Sequence, residues 1–487
     1  MNLENYFKVF RENTIGYNVM YNTPYGMKKM IYADWTASGR LYQQIEDKIL
    51  KDFGPFVGNT HSESNKTGIT MTTAYNIARE EIKKHVNANE NDVIIMSGFG
   101  MTSVVNKLQR ILGLRICEKY KNDIIVPQES KPVVFITHME HHSNHISWLE
   151  TFSDVVIIEP DKNGLIDLDS LRDSLKKYSD RSLKIGSFTA CSNITGIQTP
   201  YHKMAKIMHE YDGICFVDFA ASAPYEEINM HPEDPFEKLD GIFFSPHKFL
   251  GGPGTSGVMI FDSGLYNCEI PDIPGGGTVT WTNPWGEKGY ISNIELREDG
   301  GTPGFLQAIR TALCISLKNK MSIDNMLSRE KDIMKIIFNE LQDLENLNIL
   351  APHIQDRLGI FSFYSNEIHY NLFVKILNDR FGIQVRGGCS CAGTYGHYLL
   401  KIGKYQSKEI TNLIDRGIYS EKPGWVRLSI HPIMTNEEIY YITDSIKKTV
   451  KYYHDWKTDY RYNENINEFI NILPYKEEHN IKKCFVL

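Results

Sequence analysis

At 487 residues the chain can bury a large core and is expected to divide into more than one domain. Its net charge of -7 offers nucleic acid no electrostatic attraction, and no apolar run is long enough to span a bilayer. Eight cysteines in so long a chain do not make a disulfide framework, so reduced thiols and a cytoplasmic setting are expected.

Residues 1–30 read as a polar helix and a connector, and 29–34 as a short strand entering a turn of small residues. Helices follow over about 41–51 and 72–86, with a polar loop at 58–62. Residues 93–96 form a buried strand, and 97–103 turn through Gly98 and Gly100 into a helix ending near Leu112. Strand, glycine turn and helix start leave free N–H groups at a positive dipole end, which suits a phosphate. Further continuous apolar strands are expected at 133–136, 155–158, 184–188, 214–220 and 241–244, separated by helices. This pattern predicts an α/β fold with a parallel sheet covered on both faces. In such sheets polar residues gather at the carboxyl ends of the strands. Here those residues are Thr102, His141, Asn193, Asp218 and Lys248.

Beyond the sheet, 322–344 reads as a long helix, and the alternation at 360–364 predicts an antiparallel sheet in a second, smaller domain. The expected division is 1–30, an N-terminal helix and connector; 31–320, a large domain; 321–450, a small domain; and 451–487, an extension.

Lys248 occupies a Ser245-Pro246-His247-Lys248 corner at a strand end. A lysine near apolar surroundings loses some preference for its charged form and can act as an amine nucleophile. Asp218 ends another buried strand, where a carboxylate is costly without a cation such as a protonated pyridine nitrogen. Lysine, carboxylate, phosphate loop and imidazole are together the parts of a pyridoxal phosphate site. His138/His142 and His141/His145 have i, i+4 spacing, but no third ligand motif follows. An imidazole stacked on a cofactor ring is therefore preferred to a metal site. Cys389 and Cys391 lie in a glycine-flanked loop near Arg386, a setting for either a reactive thiolate or an ordinary turn residue.

Motifs in one order carry a resemblance over about residues 32–448. They are Tyr32-Ala33-Asp34-Trp35-Thr36-Ala37-Ser38, Glu140-His141-His142-Ser143-Asn144 and Ser192-Asn193-Ile194-Thr195-Gly196. Val217-Asp218, Ser245-Pro246-His247-Lys248, Gly301-Thr302-Pro303, the stretch from Val385-Arg386 to Cys391, and Val426-Arg427-Leu428-Ser429 follow. The chain resembles the class V aminotransferase family of fold-type I pyridoxal-phosphate enzymes, within it the cysteine desulfurase and selenocysteine lyase group. The resemblance implies a large domain with a mainly parallel sheet of seven-stranded type between helices, a smaller α+β C-terminal domain, and a homodimer. It implies that Lys248 forms the internal aldimine and moves the α-proton, that Asp218 keeps the pyridine nitrogen protonated, and that His141 stacks on the ring. Thr102, Ser245 and His247 would bind the phosphate, with Thr302 reaching across from the second subunit. Asn193 and Arg427, with Arg386 beside them, would hold the substrate carboxylate. Cys391 matches the cysteine that takes sulfur from L-cysteine as a persulfide, for onward transfer to an acceptor protein.

The chain departs from the family pattern at three places. Ala221 stands where a glutamine is usual, with Ser222 beside it; the interval from Cys391 to Arg427 is long, with an insertion at 394–423; and Cys389 adds a second thiol. The alternative reading is another reaction of the same scaffold on a different amino acid: transamination, β-elimination or epimerisation.

Overall fold

The computed structural model describes residues 2–60, 62–475 and 481–487; His61 of the expected polar loop and 476–480 of the extension lie outside them. The chain forms two compact units, one of 38–192 and 198–323, the other of 1–37, 193–197 and 324–487.

The first unit is built on a seven-stranded sheet. Its strands are β1 (Asp92–Ser97), β2 (Val133–Thr137), β3 (Asp154–Ile158), β4 (Lys184–Thr189), β5 (Ile214–Asp218), β6 (Gly241–Phe244) and β7 (Gly257–Asp262), in the spatial order β1-β7-β6-β5-β4-β2-β3. β2 through β6 pair in parallel, and β7 runs antiparallel to both β1 and β6. β2, β4 and β6 are buried at every residue, as strands of a sheet covered on both faces must be. The expected mainly parallel sheet is thus present; β7 makes it mixed. Its core gathers Val134, Ile136, Ile185, Phe216, Phe243 and Met259 with the buried face of the helix Met101–Ile111.

Three helices of this unit bear on the site: α1 (Lys66–His85), α2 (Met101–Ile111) and α3 (His142–Leu149). α1 starts six residues before the apolar periodicity suggested, because Asn65 caps it by accepting from the Gly68 N–H at 2.8 Å. A fourth helix, α4 (Phe305–Met321), packs Ala308 and Ile309 against Tyr75 and Ala78 of α1. The glycine-rich 275–290 segment forms a hairpin, Val279–Thr282 with Lys288–Tyr290, whose Trp281 and Trp285 are exposed.

The second unit carries a four-stranded antiparallel sheet of β8 (Asn348–Ile349), β9 (Ile360–Tyr364), β10 (Arg386–Gly388) and β11 (Trp425–Ser429), in the order β8-β9-β11-β10. Residues 2–30 hold two short helices and a hairpin, Met20–Thr23 with Gly26–Lys29, rather than one helix and a connector. Phe7 and Phe10 are buried, so the polar appearance of that segment hides an apolar anchor. The 394–423 insertion folds into two helices, Gly393–Leu399 and Lys404–Asp415. The tail is a helix, Asn436–Trp456, opened by a Thr435/Glu438 capping box, then a hairpin of Tyr460–Asn463 and Glu468–Asn471. Among the described residues no helix is long and apolar enough to cross a membrane.

Candidate functional site

In the first unit, β5 and β6 end side by side and deliver Asp218 and the Lys248 turn. Asp218 pairs in register with Phe243, and β6 runs into a 3-10 turn, Pro246–Lys248, closed by the Lys248 N–H donating to the Ser245 carbonyl at 3.0 Å. Asp218 is 4% exposed. Burial pushes its carboxyl up to about 6, while the Ala220 N–H, donating to Oδ1 at 2.8 Å, and the charge of Lys248 pull it down. Asp218 is therefore a buried acid whose ionised form needs a cation at hand.

That shift has a testable consequence. Asp218 is raised from 3.8 to about 6, so its protonated form favours the fold at low pH. Its contribution to stability is complete below about pH 4 and is lost as pH rises through 6, by about 3 kcal/mol at most. Asp218→Asn is expected to remove that loss. Denaturant unfolding of apoprotein at pH 4 and pH 7 should show the variant gaining on wild type with rising pH; a difference that does not change with pH would contradict it.

A glycine turn joins β1 to α2. Gly98 has φ +59°, and a Cβ there would lie 2.1 Å from the Ser103 hydroxyl, so only glycine makes the turn. Ser245 Oγ accepts from the Met101 N–H at 2.8 Å, which ties the Lys248 turn to the start of α2. Thr102 and Ser143 meet through their hydroxyls at 2.6 Å, which brings the first turns of α2 and α3 together. His247 is held low, to about 4, by burial and by Lys248, and its Nδ1 lies 3.4 Å from the Ser38 hydroxyl. Thr302 is exposed and donates to Asn59 Oδ1 at 3.3 Å.

His141 is the N-cap of α3. Its Nδ1 accepts from the Ser143 N–H at 3.1 Å, which fixes the ring and leaves the proton of the neutral imidazole on Nε2. Glu140 beside it is buried, and its carboxylate accepts from the N–H and hydroxyl of Thr137, the Thr189 N–H and the Asn144 amide. Burial drives Glu140 up to about 8. Glu140 is thus a clamp joining β2, β4 and α3, a role that its position before His141 did not announce. No group of three metal-ligating side chains occurs among the described residues, the four histidines included.

The second unit holds Asn193, Arg386, Cys391 and Arg427. β10 and β11 place Arg386 directly opposite Arg427, so the two guanidinium groups leave the same face of the sheet. Like charges in such a pair repel, and Asp34 offsets this by taking one arginine on each oxygen. Arg427 Nη2 donates to Oδ1 at 2.8 Å, and Arg386 Nε to Oδ2 at 3.1 Å. Arg427 Nη1 also donates to the Asn193 carbonyl at 3.2 Å, while its buried Nε has no partner among the described residues. Asn193 donates from Nδ2 to the Ser390 carbonyl at 2.8 Å, and its buried Oδ1 likewise lacks a partner among the described residues. An unpaired guanidinium N–H and an unpaired amide oxygen, both buried, are costly unless a ligand completes them.

Asp34 is the residue sequence reasoning passed over. It lies in the Tyr32–Ser38 motif, and the signal was a single acid behind a short strand, facing two arginines far along the chain. Asp34→Asn should leave Arg427 buried without its counter-charge and cost on the order of 3 kcal/mol. Urea unfolding measures this; a cost below about 0.5 kcal/mol, the level of an ordinary surface substitution, would contradict the pairing.

Ser390 and Cys391 are consecutive non-glycine residues in the left-handed region, at φ +48° and +58°. Each such residue costs roughly 1–2 kcal/mol, a strain held here by the Asn193 bond to the Ser390 carbonyl. Cys391 is exposed and Cys389 partly buried. Of the five polar groups expected at the strand ends, Thr102, His141, Asp218 and Lys248 fall in the first unit and Asn193 in the second.

The aminotransferase class-V family profile matches residues 31–442. A cysteine desulfurase of Haloferax volcanii is 24% identical over 74% of this chain and 80% of its own length. A probable cysteine desulfurase of Halalkalibacterium halodurans is 26% identical over 74% of this chain and 84% of its own. Among solved structures, an apo cysteine desulfurase from Thermococcus onnurineus NA1 aligns with a TM-score of 0.71 at 21% identity, covering 91% of this chain and 98% of that one. With its seven-stranded sheet and its motif order, the chain belongs to the aminotransferase class-V family.

Proposed function

We propose that the protein is a pyridoxal phosphate-dependent cysteine desulfurase, acting on L-cysteine or its selenium relative. The donor set fits that cofactor: Asp218 is a buried acid wanting a cation, Lys248 is the amine beside it, and the starts of α2 and α3 bring the Thr102 and Ser143 hydroxyls together. When bound, the cofactor supplies an electron sink for the charge left as the substrate α-proton departs.

With the cofactor bound, Lys248 would hold it through its amine and would carry the substrate α-proton. Asp218 would pair with the ring nitrogen, His141 would pack against the ring, and Thr102, Ser245 and His247 would serve the phosphate. Thr302 serves a second subunit's site in a homodimer. Arg427, through its open Nε, and the Asn193 amide bind the substrate carboxylate, with Arg386 adding charge at the same face. Cys391 then attacks the substrate sulfur. Its S–H proton and the electron pair of the broken carbon–sulfur bond end on alanine, and the sulfur ends on Cys391 as a persulfide. An acceptor protein takes it from there, in the cytoplasm.

The observation that carries this reading is the Cys391 loop: an exposed thiol on strained backbone, fastened by Asn193 beside Arg427. A transaminase or epimerase has no use for that thiol. Intact-protein mass after brief exposure to L-cysteine without reductant tests it. The expected gain is one sulfur atom, mapped to the peptide bearing Cys391; an unmodified Cys391 with cysteine consumed would sink the reading.

A further inference from the structure

Lys318 of α4 is 2% exposed, a buried lysine given no part in the chemistry above. Its Nζ donates to the Ala223 carbonyl at 2.7 Å and to the Glu226 carbonyl, and lies 3.4 Å from His85 Nε2 at the end of α1. It also sits 5.8 Å from the ring centroid of Phe249, the residue that follows Lys248. His85 closes the same ring edge-on at 6.5 Å.

The two backbone carbonyls belong to the turn that leaves Asp218. In that turn the Ser222 and Ala223 N–H groups return to the Phe219 carbonyl, and those of Tyr225 and Glu226 to the Ser222 carbonyl. The ring belongs to the turn that leaves Lys248, where the Phe249 carbonyl accepts from Gly252. One ammonium therefore touches both loops that set where Asp218 and Lys248 stand. Buried ammonium groups are expensive, so a site that completes its donors on two specific loops is a device for holding them.

Taking Asp218 and Lys248 as the acting groups proposed above, we propose that Lys318 is a positioning residue that locks the turn after Asp218 to the turn after Lys248. Burial pulls the lysine down to about 7 and His85 to about 3, so His85 is neutral and presents Nε2 as an acceptor. The Gln198 amide donates to the buried Glu226 carboxyl, and the charge of Lys318 favours that carboxyl's ionised form.

Amide hydrogen exchange of wild type and Lys318→Met, both as apoprotein, tests the lock. The expected result is exchange at least tenfold faster in 219–226 and in 246–252 together, with β2 and β4 unchanged. Reconstitution with pyridoxal phosphate should then show at least tenfold weaker cofactor binding in the variant. If only one of the two segments loosens, if neither does, or if the whole unit loosens equally, the lock is wrong. If Lys318→Met does not fold, Lys318→Gln, which keeps an uncharged N–H donor group, is judged by the same paired response of the two segments. A wild type that binds no pyridoxal phosphate would sink the functional reading instead, while the exchange result still decides the lock.

Discussion

Lys248→Ala is expected to abolish the visible absorbance of the bound cofactor and to lower turnover with L-cysteine by at least 10²–10⁴-fold, the loss that follows from removing a positioned proton carrier. The variant should still fold, because the Pro246–Lys248 turn is closed by backbone bonds and tied to α2 by Ser245. Removing the ammonium also takes away one of the two influences that pull the Asp218 carboxyl down. Asp218 should then hold its proton to higher pH than in wild type, so adding the free cofactor should not restore function. An absorbance titration with pyridoxal phosphate measures the first effect directly. An unchanged visible band in Lys248→Ala would remove Lys248 from the site.

Cys391→Ser should separate the chemistry differently, with cofactor bound normally and sulfide release falling by on the order of 10³-fold or more, as for loss of a nucleophile. The substitution replaces sulfur by oxygen in a side chain that is exposed, so the strained loop and its Asn193 anchor should survive. Cofactor absorbance and thermal stability are then expected to match wild type while sulfide is lost. Cys389→Ser in parallel assigns the acceptor: Cys389 is partly buried and has an ordinary backbone conformation, so its loss should leave most activity. Equal losses from both substitutions would mean that the two thiols act in series, and a loss from Cys389→Ser alone would move the acceptor role to that residue.

The sheet was legible because β2, β4 and β6 are buried at every residue and are therefore mostly apolar. The antiparallel β7 was not, since a fully buried strand shows no periodicity that betrays its direction. Lys248 and Asp218 could be read from their places at strand ends, where local sequence and topology coincide. The Asp34 bond to Arg427 and Arg386 could not, because it joins segments far apart in the chain and depends on the β10–β11 register. Lys318 hid for another reason: on α4 it appears as one more lysine in a helix that carries Lys320 two positions on, and only burial separates them. The first 30 residues misled through composition, as their polar residues outnumber the few aromatic side chains that anchor them.

The central claim is that cysteine is desulfurated and not merely deaminated or cleaved. Holoenzyme incubated with L-cysteine and a reductant, with alanine and sulfide assayed in the same sample, tests it most directly. The account predicts the two products in equal amounts, with no pyruvate. Sulfide accompanied by pyruvate and ammonia, or cysteine consumed without sulfide, would contradict it and turn attention to Ala221 and the 394–423 helices.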